Sequence, residues 1–260
     1  MMQIDQNLSS FERQRQIAEL ITRRERVAVS DLCEQFSISV ATARRDLEAL
    51  AAQGKIRRVH GGAIAARQAP PELPASERAG EQLDEKRRIG RAAAELVQDG
   101  ETIFLGSGTT VAEVAPHLQQ RHGLTVITNS LPVLNTLAGA PGVTVVSLGG
   151  VLRRSEMSLI GHIAEQALGE VRADKVFLGI RAIDLDEGLT NDYLPETMTD
   201  RAILRSGRAV VVLADHTKCG RVSTARLAPL SAMHVLVTDT GTPVEFRDAL
   251  AAHGVRVLVA

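Results

Sequence analysis

Apolar positions follow one rhythm in the first quarter of the chain and another in the rest. From Phe11 to Arg24, Ile17, Leu20 and Ile21 recur at helical spacing among charged residues, which predicts a short amphipathic helix. After Val27 and Val29, Ser30 is placed to cap a second helix through Phe36. Ser39 is placed to cap a third from Val40 to Gln53, which Gly54 would stop. Two capped helices joined by Ser37-Ile38-Ser39 make a helix-turn-helix. Ala43, Leu47 and Leu50 define the buried face of the third helix. At about 100° per residue this turns Ala41, Thr42 and Arg45 outward and leaves Arg44 at the flank. Lys55 to Val59 and Ala63 to Ala65 then flank His60-Gly61-Gly62 as two strands flank a turn, the pattern of a wing.

Past the wing, Gln68 to Ser76 carries Pro70, Pro71 and Pro74 and little periodicity, as a semi-rigid linker does. The expected division is a winged helix-turn-helix over 1–66, a linker over 67–83 and a larger domain over 84–260. Asp84 to Val97 reads as a helix with Ile89, Ala93, Leu96 and Val97 on one face and Gly100 as its stop. Lys86, Arg87 and Arg88 occupy its first turns, where cations oppose the helix dipole. Apolar runs then recur at Ile103, Leu124 to Thr128, Val143 to Leu148, Lys175 to Ile180, Ala209 to Ala214, His234 to Thr238 and Val255 to Val259. They are Val-rich and hardly alternate, as strands covered on both faces do, so an α/β domain with a mainly parallel sheet is predicted.

In such sheets ligands bind beyond the carboxyl ends of the strands. The residues there are Gly106 to Thr110, Asn129-Ser130, Gly149-Gly150, Gly179 and Asp215 to Lys218. Small residues, hydroxyls, an amide and a lysine suit a phosphorylated polyol, with Lys218 or Lys86 offsetting its charge. The stretch Ile-Phe-Leu-Gly-Ser-Gly-Thr-Thr, Ile103 to Thr110, looks like a buried strand entering a helix through a glycine-hydroxyl turn. No Gly-Lys-Ser/Thr follows, and Val111 stands where a dinucleotide fingerprint needs its third glycine, so ATP and NAD are not indicated. A phosphate cradle and a plain tight turn remain the two readings of this loop. Gly149-Gly150 also has a plain reading as a turn, and Asn129 one as the cap of the helix begun by Leu131-Pro132.

Composition adjusts this picture in a few places. Aromatics are 2% of the chain and Trp is absent, which disfavours stacking on single-stranded nucleic acid. The formal charge of −1 conceals a local excess: between Ser39 and Arg67, Arg44, Arg45, Lys55, Arg57, Arg58 and Arg67 face only Asp46 and Glu48. Taken singly each is a solvated charge, but with the caps, turn and wing they form a footprint for double-stranded DNA. Arg45 is expected to read a base, and Arg57 to hold phosphate without regard to sequence. Cys33 and Cys219 lie outside any metal spacing, so neither a metal nor a cofactor is expected. The N-terminus, with Asp5 and Glu12, has no apolar signal region, and no run approaches the ~18 apolar residues of a membrane span, so the cytoplasm is expected.

Ser39-Val40-Ala41-Thr42-Ala43-Arg44-Arg45-Asp46-Leu47, with Leu50, Gly54 and Arg58-Val59-His60-Gly61-Gly62-Ala63, closely resembles the DNA-binding signature of the DeoR/GlpR family of bacterial transcription regulators. Glu85-Lys86, Ser107-Gly108-Thr109-Thr110, Thr128-Asn129-Ser130, Leu148-Gly149-Gly150, Asp174 to Gly179, Gly188-Leu189-Thr190 and Ala214-Asp215 with Lys218 and Gly220 are similar to the effector domain of that family. The resemblance implies that the third helix reads an operator through Ser39, Thr42, Arg44 and Arg45, and that Arg57, Arg58 and His60 belong to the wing. Asp46 is assigned a bracing role beside a neighbouring Arg. The effector domain of the family is related to ribose-5-phosphate isomerase and glucosamine-6-phosphate deaminase. Ser107, Gly108, Thr109, Thr110 and Lys86 are thereby implied on phosphate, and Asn129, Ser130, Gly149, Asp215 and Lys218 around the sugar. The chain departs from the family at Gly106, often an acid, and at Asp200-Arg201, often Lys-Arg, which bears on the ligand that fits.

The expected function is a regulator of carbohydrate or related carbon catabolism genes, in the first place a repressor, acting as a homodimer or homotetramer on operator DNA under a small phosphorylated metabolite. Ligand binding would alter the spacing of two N-terminal domains on half-sites ~34 Å apart. The alternative is a sugar-phosphate isomerase or deaminase with a DNA-binding appendage. Such an enzyme needs a base within reach of a carbon-bound proton. Glu156 is the only carboxylate in the Gly-Gly loop, and Asp184 and Asp186 read as solvated. With no paired acid and base, catalysis is not expected.

Overall fold

A computed structural model describes residues 9–24, 26–52, 55–65, 69–70 and 73–260, and of Arg57 the backbone alone. Asp5, the helix end at Gln53-Gly54, Arg67, Gln68 and Pro71 lie outside the described residues. The chain divides into two compact units, one up to Pro70 and one from Pro71.

The first unit runs α1 (Ser10–Arg24), β1 (Arg26–Ala28), α2 (Val29–Phe36), α3 (Val40–Ala52), β2 (Ile56–Val59) and β3 (Gly62–Ala65). Ile17, Leu20 and Ile21 of α1 meet Leu32 of α2 and Ala43, Leu47 and Leu50 of α3 in one core, as the periodicity requires. The three strands pair antiparallel in the order β1-β3-β2. β1 was not expected: it is three residues long and pairs only with the inner strand of the wing. Gly61 turns the hairpin at φ +77, and a Cβ on Gly62 would sit 2.2 Å from the Val27 carbonyl oxygen, so only glycine lets β3 lie this close to β1. Ser30 does not cap α2. The cap position is Ala28, whose N–H is taken by the Asp31 carboxylate at 3.2 Å.

The second unit holds α4 (Ala75–Arg78), α5 (Leu83–Ala94), β4 (Thr102–Leu105), α6 (Thr109–Ala112), β5 (Leu124–Thr128), α7 (Leu131–Leu137), β6 (Val143–Ser147), β7 (Val151–Arg153), β8 (Ser158–Ile160), α8 (His162–Gly169) and β9 (Ala173–Gly179). It continues with β10 (Ala182–Asp184), β11 (Gly188–Asn191), α9 (Leu194–Ser206), β12 (Gly207–Leu213), β13 (Ala225–Ala228), β14 (Val235–Thr238), α10 (Val244–Ala252) and β15 (Arg256–Val259). Seven strands form one parallel sheet in the order β15-β14-β12-β9-β4-β5-β6. Alternate side chains feed two separate cores. Ile103, Leu105, Phe177 and Val211 pack with α5 and α7, while Phe104, Val176, Leu178 and Val212 pack with α8, α9 and α10. This double coverage is why the strands hardly alternate in sequence.

From β4 the chain winds outward through β5 and β6, then returns to β9 on the other side of β4 and winds out through β12, β14 and β15. The strand order therefore reverses between β4 and β9, the place in open α/β sheets where ligands bind beyond the strand ends. Two smaller assemblies were not legible in the sequence: the β7–β8 ribbon and an antiparallel sheet β10-β11-β13.

Candidate functional site

The nucleic-acid face begins at the start of α3. Ser39 Oγ accepts the Thr42 N–H at 3.2 Å and lies 2.9 Å from the Thr42 hydroxyl, a side-chain cap as the sequence suggests. Thr42 is consequently half-buried and engaged with the cap rather than turned fully outward. Ala41, Arg44 and Arg45 are exposed on the first turn and a half. Asp46 is 3% exposed and is clamped by α1, with Arg13 Nε at 2.7 Å and Gln14 Nε2 at 2.9 Å. Its bracing partner is thus distant in sequence, not an adjacent Arg. The carboxylate raises the Arg13 pKa above its ordinary value through that hydrogen bond. On the wing, Arg58 reaches Glu48 at 2.8 Å across an exposed pair, and His60 stands exposed in the turn.

The second site lies at the reversal of the sheet. The backbone leaves β4 at Gly106, whose N–H donates to the Phe177 carbonyl of β9 at 2.9 Å. A Cβ on Gly106 would stand 2.9 Å from Leu178 Cδ1, and one on Gly179 would stand 3.3 Å from the Ser107 carbonyl oxygen. The 106–110 loop and the end of β9 therefore pack backbone to backbone. Gly108 takes φ +105, and the helix that follows is the single turn α6, not a long helix. Thr110 is buried, while Ser107, Gly108 and Thr109 are half-buried.

Asn129 and Ser130 follow β5. Ser130, not Asn129, caps α7, accepting the Val133 N–H at 3.5 Å. Asn129 is 1% exposed; its Nδ2 donates to the Leu159 carbonyl at 3.2 Å, and its Oδ1 has no hydrogen-bond partner among the described residues. A buried amide oxygen left unpaired favours a donor brought by a ligand or water. Gly149 is exposed before β7. Gly150 takes φ +146, and a Cβ there would stand 2.7 Å from the Ile160 carbonyl oxygen, so it has no room for a side chain.

Asp215, at the end of β12, is 1% exposed and accepts the Thr217 N–H at 2.9 Å. It is electrostatically coupled to both Lys86 and Lys218. Burial lowers the pKa of each lysine; Asp215, and to a smaller degree Glu81, opposes that fall, while Lys218 and Arg78 lower Lys86 further and Arg181 and Arg78 lower Lys218. Lys86 is 4% exposed, and its ammonium donates to the Arg78 carbonyl. Arg78 itself pairs with Glu156, and Arg181 with Asp192 at 2.9 Å. The two lysines share the buried carboxylate of Asp215 and the more distant support of the exposed Glu81, a balance that favours an anion at this end of the sheet.

Several contributors to this region carry no sequence signal. Arg78, read as linker, is buried on α4. Glu196 of α9 is buried and accepts from Arg153 of β7, from Ser158 Oγ at 3.1 Å and from Ser107 Oγ at 3.4 Å. Neither has a periodic neighbour or motif to mark it. The carboxylates weighed as catalytic bases are otherwise engaged: Glu156 with Arg78, and Asp184 with the N–H groups of Asp186 and Glu187 at 2.9 and 3.1 Å. Cys219 is equally inert, since burial pushes its thiol up to about 12. Asp200, one departure from the family, is buried and accepts Asn191 Nδ2 at 2.8 Å.

Both parts of the chain match known family models. Residues 13–69 match the model of a DeoR-like helix-turn-helix domain, and residues 81–240 that of the DeoR C terminal sensor domain. The chain is 37% identical to the transcriptional repressor AccR of Agrobacterium fabrum, over 90% of this chain and 91% of that protein. It is 35% identical to the glycerol-3-phosphate regulon repressor of Escherichia coli, over 96% and 99%, and 33% identical to the repressor GlcR of Bacillus subtilis, over 94% and 93%. Among solved structures, ribose 5-phosphate isomerase A of Methanocaldococcus jannaschii matches 54% of this chain and 55% of its own at 20% identity, with a TM-score of 0.40. With a sensor model covering more than half of the chain and relatives aligned nearly end to end, the chain belongs to the DeoR family of helix-turn-helix transcriptional regulators.

Proposed function

We propose that this regulator represses genes of carbohydrate or related carbon metabolism and is released from its operator by a small phosphorylated metabolite held at the β4–β9 reversal. The observation that carries the ligand assignment is the pair of depressed lysines, Lys86 and Lys218, against the single buried carboxylate of Asp215. A phosphate dianion supplies the missing countercharge, with Ser107, Gly108, Thr109 and Thr110 as its cradle. Asn129 and Asp215 then face the hydroxyls, the unpaired Asn129 Oδ1 accepting one of them. Ser130 serves the site through its hydroxyl as the α7 cap, and Gly149 as an open turn. The names of two relatives, a glycerol-3-phosphate regulon repressor and a putative aga operon transcriptional repressor, support the sign of regulation, and the first of them a phosphorylated metabolite.

On DNA, Ser39, Thr42, Arg44 and Arg45 approach a major groove, while Arg57, Arg58 and His60 track phosphates from the wing. The protein acts as a homodimer or homotetramer, because paired half-sites require paired readers. The test is a thermal-shift panel on the full chain with glycerol 3-phosphate, ribose 5-phosphate and glucosamine 6-phosphate beside glycerol, ribose and glucosamine. Stabilisation by a phosphorylated member alone is expected, followed by release of labelled operator at the same concentrations. Equal response to the unphosphorylated parents sinks the phosphate cradle.

A further inference from the structure

The β7–β8 ribbon and the starts of α8 and α9 carry an unusual run of exposed large apolar side chains. Val151 is 67% exposed, Ile163 59% and Leu194 58%, with Leu152, Tyr193 and Met198 also exposed. They are neighbours. Arg153 of the ribbon lies 4.6 Å over the Tyr193 ring and pairs with Glu196, and a Cβ on Gly149, just before the ribbon, would stand 3.4 Å from Ile163 Cγ2. The inner edge of β8 is occupied, since the Leu159 N–H donates to the Asn129 carbonyl at 2.8 Å and Ser130 bridges Ser158. The outer edge of β7 has no strand partner among the described residues.

We propose that this face is the interface between two copies of the chain. The inference rests on the oligomeric repressor described above and names the surface through which it assembles. Three features select a second copy as the occupant. Six half-exposed large side chains supply on the order of 500 Å² of apolar surface, most of the ~800 Å² each partner gives a stable interface. Of the two arginines on the ribbon, Arg153 is neutralised within its own chain by Glu196 and Arg154 is exposed in the turn beyond β7, so the apolar patch itself calls for no partner of opposite charge. An open antiparallel-capable edge meets an identical edge in register about a two-fold axis, and centring the axis on Leu152 keeps the two Arg154 side chains roughly 13 Å apart. The Glu196 carboxylate that anchors this ribbon also accepts the Ser107 hydroxyl, so the face and the ligand loop share one anchor.

Sedimentation velocity over a concentration series, on the full chain and on Leu194→Glu and Met198→Glu, tests the assignment. Self-association weakened at least 30-fold, with far-UV dichroism and melting as in the parent, is expected. Mixing Leu194→Glu with Leu194→Lys should restore part of it. Variants that associate as tightly as the parent overturn this face while leaving the oligomeric reading intact, whereas a parent that stays monomeric at every concentration overturns both. Hydrogen exchange on the parent gives a readout independent of any variant: the Val151–Arg153 amides should gain protection as the chain associates, and amides indifferent to association exclude the edge pairing.

Discussion

Lys86 occupies the first turn of α5, the end of a helix where a cation is least favoured, and is buried there as well. Burial lowers its pKa and that of Lys218, so in the free protein each ammonium carries a desolvation cost at any pH below its depressed value, and sheds that cost as pH rises through it. A phosphate monoester gains its second charge near pH 6, so ligand affinity should climb through about pH 6. It should fall again as the lysines deprotonate, below the ordinary lysine value of about 10.4. Calorimetry across this range should show that bell with proton uptake on the alkaline limb; affinity flat from pH 7 to 10 would remove the lysines from the site. Lys218→Met should weaken the ligand at least 30-fold at neutral pH without changing operator binding by the ligand-free protein. On the other surface, Arg45→Ala should cost about 1–3 kcal/mol of operator affinity, roughly 5- to 150-fold, and relax discrimination at one base pair. Equal loss on operator and random DNA, read by fluorescence anisotropy, would instead make Arg45 a phosphate contact.

The recognition helix α3 is held from behind by α1, and the Arg13–Asp46 bond is the polar part of that hold. Removing one member strands the other in a largely buried setting, so Asp46→Ala should destabilise the first unit by about 3 kcal/mol in denaturant titrations. Operator preference should be unchanged once binding is corrected for the folded fraction. At Gly62 the constraint is steric: Gly62→Ala places a methyl against the Val27 carbonyl, and separation of β1 from β3 should appear as early loss of the wing amides in hydrogen exchange. α1 and α3 were legible through their helical period, and the seven parallel strands through Val-rich apolar runs that burial on both faces leaves in the sequence. β1, the β7–β8 ribbon and the sheet β10-β11-β13 were not, because these strands of three or four residues lack the continuous apolar run of the parallel strands and exist through their partners. The shortness of α6 was likewise hidden, since Val111 and Val114 pack as helical residues would while the chain turns into a 3-10 segment over Ala115–Leu118.

For the molecule as a whole, regulation requires that ligand and operator compete for one conformational equilibrium. Linkage makes the effect reciprocal: if a phosphorylated ligand weakens operator binding by some factor, saturating operator must weaken that ligand by the same factor. Paired titrations, ligand into free protein and into the operator complex, should give matching ratios. A ligand that binds both forms equally would act by some route other than release. The departures from the family pattern belong to this scale too. Gly106 lies backbone to backbone with β9, and Asp200 holds Asn191, whose Oδ1 in turn accepts the Arg181 N–H at 3.2 Å. Both positions are therefore tied to strand β9 or the loop leaving it, where the choice among phosphorylated ligands would be made.

The sequence by itself determined the two architectures, the capped recognition helix, the wing and the hydroxyl-rich loop after β4, because periodicity, caps and glycine turns are local and leave local marks. It also pointed to Lys86, Asn129 and Asp215, since each follows a recognisable motif. Only the tertiary structure decided that Arg13 braces Asp46, that Ser130 rather than Asn129 caps α7, that Arg78 and Glu156 neutralise each other, and that Glu196 joins Ser107 to the β7–β8 ribbon. Those contacts pair residues tens of positions apart. Burial and a single partner's charge create them, and neither leaves a trace in the spacing of residues along the chain.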